Sequence, residues 1–297
     1  MDLSSFPWPK VSGHESRPVW DGTHFLVGER QTDVLCTSLA ESAWSKELTA
    51  LHEAEASSAH PIDVASRVAA LESMEALQDR PNPIILDVGC SSGFLVQALR
   101  DKFRTASVMG ADYLPELVRT AAQRIGNVPF IQFDLRECPL PDQCVDGVTA
   151  LNVLEHIDDD RKAVHEIYRI LKPGGLAHLE VPASPTTFDL YDEVLMHFRR
   201  YRLRGIISLA RDAGFAVEKA THLGCFVYPA FYAVKFRNRL RARHFSPEAK
   251  RAKVVSLIRQ TVRSTYLRPL FKLEHRIGRR WNYPFGVRAV LRLKRPE

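Results

Sequence analysis

The 297-residue sequence predicts an α/β fold with a mainly parallel sheet and helices on both faces. From residue 84 to residue 182, short apolar runs alternate with helix-like patterns, the order expected of parallel strands joined by crossover helices. The runs are continuous rather than alternating, as in Ile84-Ile85-Leu86 and Val145–Leu151, which suits strands covered on both faces. Polar residues also follow four of these strands directly, where open α/β sheets hold their ligands.

Each element follows in order. Residues 1–38 scatter Pro and Gly through a mixed composition and read as an irregular arm. The Ala/Glu/Leu content of 39–58 favours a helix. A second helix starts near His60-Pro61-Ile62-Asp63, since Pro is tolerated in a first turn, and runs to Gln78. Arg80-Pro81-Asn82-Pro83 breaks that pattern. Strands are expected at 84–88, 107–111, 128–133, 144–150 and 176–181, with helices at 94–102, 114–124 and 158–171 between them. Lys172-Pro173-Gly174-Gly175 stops the last of these helices. A loop then carries Tyr191 to Tyr201, a helix spans 203–213, and a strand spans 215–220. Residues 226–280 combine helical spacing with aromatics and dense Arg/Lys, and a last strand occupies 287–293. The expected division is an N-terminal arm and helical lid (1–80), a core (81–225), a basic aromatic helical insertion (226–283) and a closing strand (284–297).

An apolar content of 45% supports one large domain or two small ones, and 26% charged residues is ordinary for a folded chain. No run approaches the roughly 18 apolar residues of a spanning helix. The first ten residues lack the basic start and apolar stretch of a secretory signal. Five cysteines, odd in number and without a CxxC pair, argue against a disulfide framework and a zinc site and suit a reducing cytoplasm. Residues 199–297 hold 25 Lys/Arg against 5 Asp/Glu, whereas the preceding part holds 16 against 30. The basic third either faces something anionic (a lipid surface, a phosphorylated substrate, an acidic carrier protein or nucleic acid) or is a solvated face.

The strongest local signal is Ile84-Ile85-Leu86-Asp87-Val88-Gly89-Cys90-Ser91-Ser92-Gly93-Phe94-Leu95, a strand running through a glycine turn into a helix. Gly89 permits the tight turn, and Gly93 permits a ligand or the strand to approach the helix start. The spacing is GxxxG, not the GxGxxG of dinucleotide binders. Asp112 ends the second strand, where a carboxylate can accept both hydroxyls of a ribose, and Tyr113 beside it can pack on a base. Asp134 and Leu135 end the third strand. Asn152 and Leu154 follow the fourth, in Leu151-Asn152-Val153-Leu154-Glu155-His156-Ile157. Each acidic residue alone also reads as a helix cap or a solvated turn.

The series LDVGCSSG, GADY, FDL, LNVLEHI and ILKPGG, in this order over about residues 84–182, resembles class I methyltransferases, particularly the branch acting on small molecules. The resemblance implies a Rossmann-like core sheet with an antiparallel last strand, and S-adenosylmethionine as cofactor, released as S-adenosylhomocysteine. It assigns the methionine part of the cofactor to Asp87, Gly89, Cys90 and Gly93, the ribose to Asp112 and the adenine to Asp134. Ser91 stands where the commonest pattern has glycine, and its backbone N–H is still available. Met196-His197-Phe198-Arg199-Arg200-Tyr201, Ala213-Gly214-Phe215 and Tyr283-Pro284-Phe285-Gly286-Val287 are similar to a subgroup with an HxRRY loop and an AGF helix end. No comparable resemblance covers the first 80 residues.

Methyl transfer from a sulfonium is an in-line displacement, so positioning does most of the catalytic work. A general base is needed only for a protonated acceptor, and the candidates are His156 and His197. Either histidine can instead be structural. Arg199 and Arg200, with Tyr201, form a candidate clamp for a carboxylate or phosphate, or belong to the basic face. Arg67 either meets the cofactor carboxylate or makes a salt bridge; Trp8 and Trp44 either line an acceptor pocket or pack. The expected reaction is methylation of a small, anionic or lipid-like acceptor by a cytoplasmic protein that can lie on an anionic membrane and can pair as a homodimer. An RNA methyltransferase using the basic third is an alternative, weakened by the lack of an Asn/Asp-Pro-Pro-aromatic run after strand four. A non-catalytic binding protein is another alternative, and a hydride-transferring oxidoreductase is disfavoured by Ser91 and Ser92.

Overall fold

A computed structural model describes residues 3–11, 13–14, 16–37, 60–242, 245–264 and 266–297. The expected helix at 39–58, and Trp44 with it, lie outside the described residues. The strands are β1 (Val19–Trp20), β2 (Phe25–Val27), β3 (Arg30–Thr32), β4 (Val34–Cys36), β5 (Ile84–Val88), β6 (Ser107–Asp112), β7 (Phe130–Gln132), β8 (Val145–Leu151), β9 (Leu171–Pro182), β10 (Ala216–Leu223) and β11 (Arg288–Lys294). The helices are α1 (Pro61–Ser73), α2 (Phe94–Lys102), α3 (Pro115–Ile125), α4 (Asp160–Ile170), α5 (Leu190–Val194), α6 (Leu203–Asp212), α7 (Tyr228–Ala242), α8 (Pro247–Arg263) and α9 (Leu267–Gly278).

Eight strands form one sheet in the order β10-β11-β9-β8-β5-β6-β7-β4. From β9 to β4 every neighbouring pair is parallel, and β11 runs antiparallel between β9 and β10. The α/β class, the mainly parallel sheet and the antiparallel last strand thus match the expectation. After β5 the chain builds outward through β6 and β7, then returns to β8 on the other side. That reversal opens a crevice beyond the C-terminal ends of β5 and β8, where ligands of doubly wound sheets bind.

The crossover helices follow from their buried stripes. In α3, Leu117, Val118, Ala121 and Ala122 are buried after Pro115 opens the first turn. In α4, Ala163, Val164, Ile167 and Ile170 are buried, and Asp159 caps the helix by accepting from the Lys162 N–H. Gly110 in β6 gives way to its neighbour: a Cβ there would stand 2.4 Å from the Phe130 ring.

Two expectations change. The Lys172-Pro173-Gly174-Gly175 segment belongs to β9, which begins directly after α4 at Leu171. Its partners jump from Val145↔Leu171 to Gly147↔Leu176, so residues 172–175 bulge out, with Gly174 at φ 71°. The N-terminal arm is not irregular either. β1, β2 and β3 form a small antiparallel sheet, and β4 adds a parallel edge to the main sheet beside β7. Trp8 is fully buried, donates from its indole N–H to the Leu3 carbonyl (3.0 Å) and packs edge-on against Phe25 at 4.8 Å. Its burial is packing rather than an acceptor pocket.

Trp8, Trp20 and Phe25 share one apolar cluster with Ile84, Leu86 and Leu179 of the main sheet. Trp8→Ala is therefore expected to destabilise the whole protein by about 3–5 kcal/mol. Urea unfolding should show a lower midpoint within a single transition, because the arm and the core share that cluster.

Candidate active site

The crevice is one cavity of about 970 Å³. Its floor is the row of turns after β5, β6, β7 and β8. Its roof is α1, the loop at 195–200, and the helices α7, α8 and α9.

At the first turn, Gly89 has φ 70°, and a Cβ there would stand 2.3 Å from Val153 Cγ2, so both the turn and the neighbouring loop require glycine. Gly93, at φ 76°, starts α2; what approaches it is α3, since a Cβ would meet Ile125 Cδ1 at 2.6 Å. Gly93 does not line the cavity, so its role is packing rather than ligand approach. Ser91 has φ 46° and sends its backbone N–H to Asp112 Oδ2 at 2.9 Å, so that N–H is not offered to a ligand.

Asp87, Asp112, Asn152, Tyr113, Cys90, Ser91, Asp134 and Leu135 all line the cavity. Asp87 Oδ1 accepts from the Thr149 hydroxyl at 2.6 Å. Burial pushes the Asp87 carboxyl up to about 7; the Thr149 bond works against the rise, and the charge of Asp112 adds to it. Burial likewise raises Asp112, against backbone N–H bonds from Leu114 (3.0 Å) and Ser91. The Tyr113 N–H adds to these, and of the roughly four acceptor positions of the carboxylate at least one is left. Asp134 is engaged differently. Burial opposes its ionisation, but bonds from the Arg136 side chain and backbone outweigh that and hold it below the ordinary carboxylate range. Arg136 continues to Asp158 at 2.6 Å, so Asp134 is the corner of an ion-pair chain with little acceptor capacity left for a base. Leu154 is buried in the apolar core and does not line the cavity, which removes it from the cofactor set.

Beyond β8 the chain brings together Glu155, His156 and His197, with one ligand atom from each lying within 4.8 Å of the others. The two imidazoles meet edge to face at 4.6 Å. Burial lifts Glu155 to about 8 against the pull of its own backbone N–H and the charges of Arg288 and Arg200, and among the described residues no other residue donates a hydrogen bond to either carboxylate oxygen. Sequence reasoning missed Glu155; its one signal was adjacency to His156.

The 195–201 loop is held by buried pairs. Asp192 Oδ1 accepts from Arg200 Nε (2.7 Å) and pairs with His197 Nδ1 (2.9 Å), while Lys235 of α7 binds Asp189 at 2.6 Å. Burial alone would raise the Asp192 carboxyl; the His197 bond and the charges of Arg200 and Lys235 more than reverse that. Burial also lowers His197 against the pull of Asp192. These contacts correct the expected anion clamp. Arg200 lines the cavity but is spent on Asp192 and Ala183 O (3.3 Å). Arg199 pairs with Asp160 at 2.8 Å, and the Tyr201 hydroxyl, with one proton to donate, lies within hydrogen-bond distance of both Asp160 (2.8 Å) and Leu154 O (3.0 Å); neither residue lines the cavity. All three are positioning residues. Arg67 faces the cavity from α1. Arg288, which sequence reasoning also missed, braces α1 to the sheet through Asp63 (2.6 Å) and Glu180 (2.9 Å).

Asp87 sets a pH dependence. A carboxyl raised by burial stabilises the fold fully below its unfolded value of roughly 4 and loses that contribution as pH rises through its folded value. The share of the ligand-free protein's stability that comes from Asp87, read from unfolding midpoints, should therefore fall from pH 4 to about 7, opposite in sign to the share from the buried neutral His178. Asp87→Asn, which keeps the Thr149 contact, should flatten that slope.

Residues 86–179 match the family model described as "Methyltransferase domain". A Mycolicibacterium smegmatis protein named as an S-adenosylmethionine-dependent methyltransferase is 33% identical over 144 residues, 48% of this chain and 54% of that one. A Thermus thermophilus demethylmenaquinone methyltransferase is 36% identical over 141 residues, 45% of this chain and 63% of that one. The chain thus spans about half to three fifths of the length of these relatives. The fold is shared with Haemonchus contortus phosphoethanolamine N-methyltransferase 2 in complex with S-adenosyl-L-methionine, at TM-score 0.58 and 18% identity, over 86% of this chain and 59% of that one. In keeping with the strand order and the β5–α2 turn described above, residues 86–179 thus match a methyltransferase domain.

Proposed function

We propose that the protein transfers a methyl group from S-adenosylmethionine to a small, largely apolar acceptor. The observation that carries this reading is the continuity of the cavity. It runs from the Asp87 and Asp112 carboxylates, past Glu155, His156 and His197, to an apolar wall made by Ala230, Phe231, Val234, Leu257, Ile258 and Phe271. About 970 Å³ is room for two ligands end to end.

The polar end suits the cofactor. Two buried carboxylates whose charged forms are disfavoured by desolvation gain from a ligand bringing hydroxyl donors and positive charge. Asp112 would accept from the ribose, Asp87 and the turn after β5 would hold the methionine part, and Tyr113, 37% exposed beside Asp112, would cover the base. Bound there, the sulfonium supplies a methyl carbon open to in-line displacement. The protein's share is to orient the acceptor behind that carbon and to exclude water, which the apolar wall does. A proton leaving the acceptor would meet the His156–His197 pair.

Exposed apolar side chains on α7 and flanking α9 support access from a membrane. Phe236, Leu240, Tyr266 and Trp281 are between 54% and 83% exposed, amid the Arg/Lys of the basic third. A basic face with exposed aromatics binds anionic interfaces by charge and apolar insertion together. No helix among the described residues is long and apolar enough to cross a membrane. On this reading, the helices that roof the cavity deliver a lipid-like acceptor from the surface they touch.

Candidate acceptors incubated with methyl-labelled cofactor should yield, by mass spectrometry, a product heavier by one labelled methyl group in place of hydrogen. Turnover without methyl gain by any acceptor would overturn the reading. Asp112→Ala should weaken S-adenosylhomocysteine binding about 10- to 100-fold, the effect of losing hydrogen bonds to a charged group, as read by calorimetry. Co-sedimentation with phosphatidylglycerol vesicles should exceed that with phosphatidylcholine vesicles and fall with added salt. Equal binding to both would remove the membrane part.

A further inference from the structure

We infer that Glu155, His156 and His197 form a binding site for one divalent transition-metal ion. The site goes beyond methyl transfer, because it requires neither the cofactor nor an acceptor.

Three observations support it. The donor set is two imidazoles and one carboxylate, the combination that holds zinc, manganese, iron or cobalt with coordination positions left open. One ligand atom from each side chain already lies within 4.8 Å of the other two. Ligands around an ion with bonds near 2.1 Å stand roughly 3–4 Å apart, so small side-chain rotations complete the geometry.

The second observation is the state of Glu155. Its side chain is fully buried and faces the cavity, and among the described residues no other residue donates a hydrogen bond to either oxygen, which leaves only the local pull of its own backbone N–H. A desolvated carboxylate without donors is costly unless a cation meets it. Arg200 and Arg288 act on it through space, yet Arg200 is bonded to Asp192, and Arg288 to Asp63 and Glu180. Among the described residues no neighbouring side chain completes it.

The third is orientation. Asp192, buried and fixed by Arg200, holds His197 Nδ1 at 2.9 Å and leaves Nε2 for an ion. A carboxylate behind a ligating histidine is the usual outer partner that sets ring tautomer and direction. The backbone fixes the same pairing, since the Phe198 N–H donates to the Glu155 carbonyl at 2.8 Å. All three side chains line the cavity. The open positions therefore face the space assigned to the acceptor and suit an oxygen donor, from water or from the acceptor itself.

The test titrates chelator-treated protein with Co²⁺ alone, read by calorimetry and by visible absorption. One ion per chain is expected, with ligand-field bands. Glu155→Gln loses no hydrogen bond and keeps the side-chain shape, so it should melt no lower than the parent while binding Co²⁺ at least about tenfold more weakly, the lower end for disturbing even an outer partner. His197→Ala should weaken binding further and alter the bands. Asp192 serves as a positioning residue, so Asp192→Asn should lower affinity without removing the bands. If the parent protein binds no Co²⁺, or if Glu155→Gln and His197→Ala bind it as the parent does, the site does not exist. Because no cofactor enters the titration, such a failure would leave the methyltransferase reading intact, and a failed acceptor screen would leave the metal site intact.

Discussion

Asp192 is where the roof of the cavity meets the rest of the molecule. It sits on the short helix α5, is fully buried, and gathers Arg200 and His197 from one loop while Lys235 reaches toward it from α7 at 3.7 Å. A lone charge in that position would be strongly destabilising; paired and hydrogen-bonded, it becomes a fixed hub. Removing any partner leaves a buried charge exposed to the others, so the loop, α5 and α7 hold one arrangement together. That arrangement sets His197 against His156 and gives the cavity its far wall.

Polarity in this crevice is distributed unevenly, and the unevenness is informative. Around Asp192, Asp189 and Glu180, carboxylates are matched by Arg200, Lys235 and Arg288. At Asp87, Asp112 and Glu155 they are not. Buried carboxylates are nearly always paired with a cation, and those without one mark places where something else arrives. The balanced carboxylates build the scaffold. The unbalanced ones line the path a ligand would take.

The sheet was legible because its strands are buried on both faces. Ile84–Val88 and Val145–Leu151 carry no alternation to misread, and α2, α3 and α4 show stripes at helical spacing bounded by Gly93, Pro115 and Asp159. The arm was not legible. β1 to β4 are two or three residues long, below the length at which a period of two can register, and their aromatics pack on a core distant in sequence. The residues facing the cavity from β5 and β6 could be read from their positions at strand ends. Arg199, Arg200 and Tyr201 misled for a physical reason. Charge in a loop looks available until its partners are known, and Asp160 and Asp192 are partners that no local pattern reveals. Glu155 was hidden the same way, since its character comes from surroundings that leave it bare.

β10 and β11 are hydrogen-bonded neighbours from Ala216↔Lys294 to Leu223↔Arg288, so everything between Leu223 and Arg288 leaves and re-enters the sheet at one point. Glu274 of α9 seals that point by accepting the backbone N–H groups of Gly224, Cys225 and Phe226. Both ends of α7–α9 are thus stapled to a closed hairpin, and the entropic cost of closing its stem grows only slowly with the length of the excursion. The outer parts of that segment can therefore change while the stem holds the strand ends in place, but Lys235 of α7, which pairs with Asp189 and lies 3.7 Å from Asp192, ties its cavity side to the 195–201 loop.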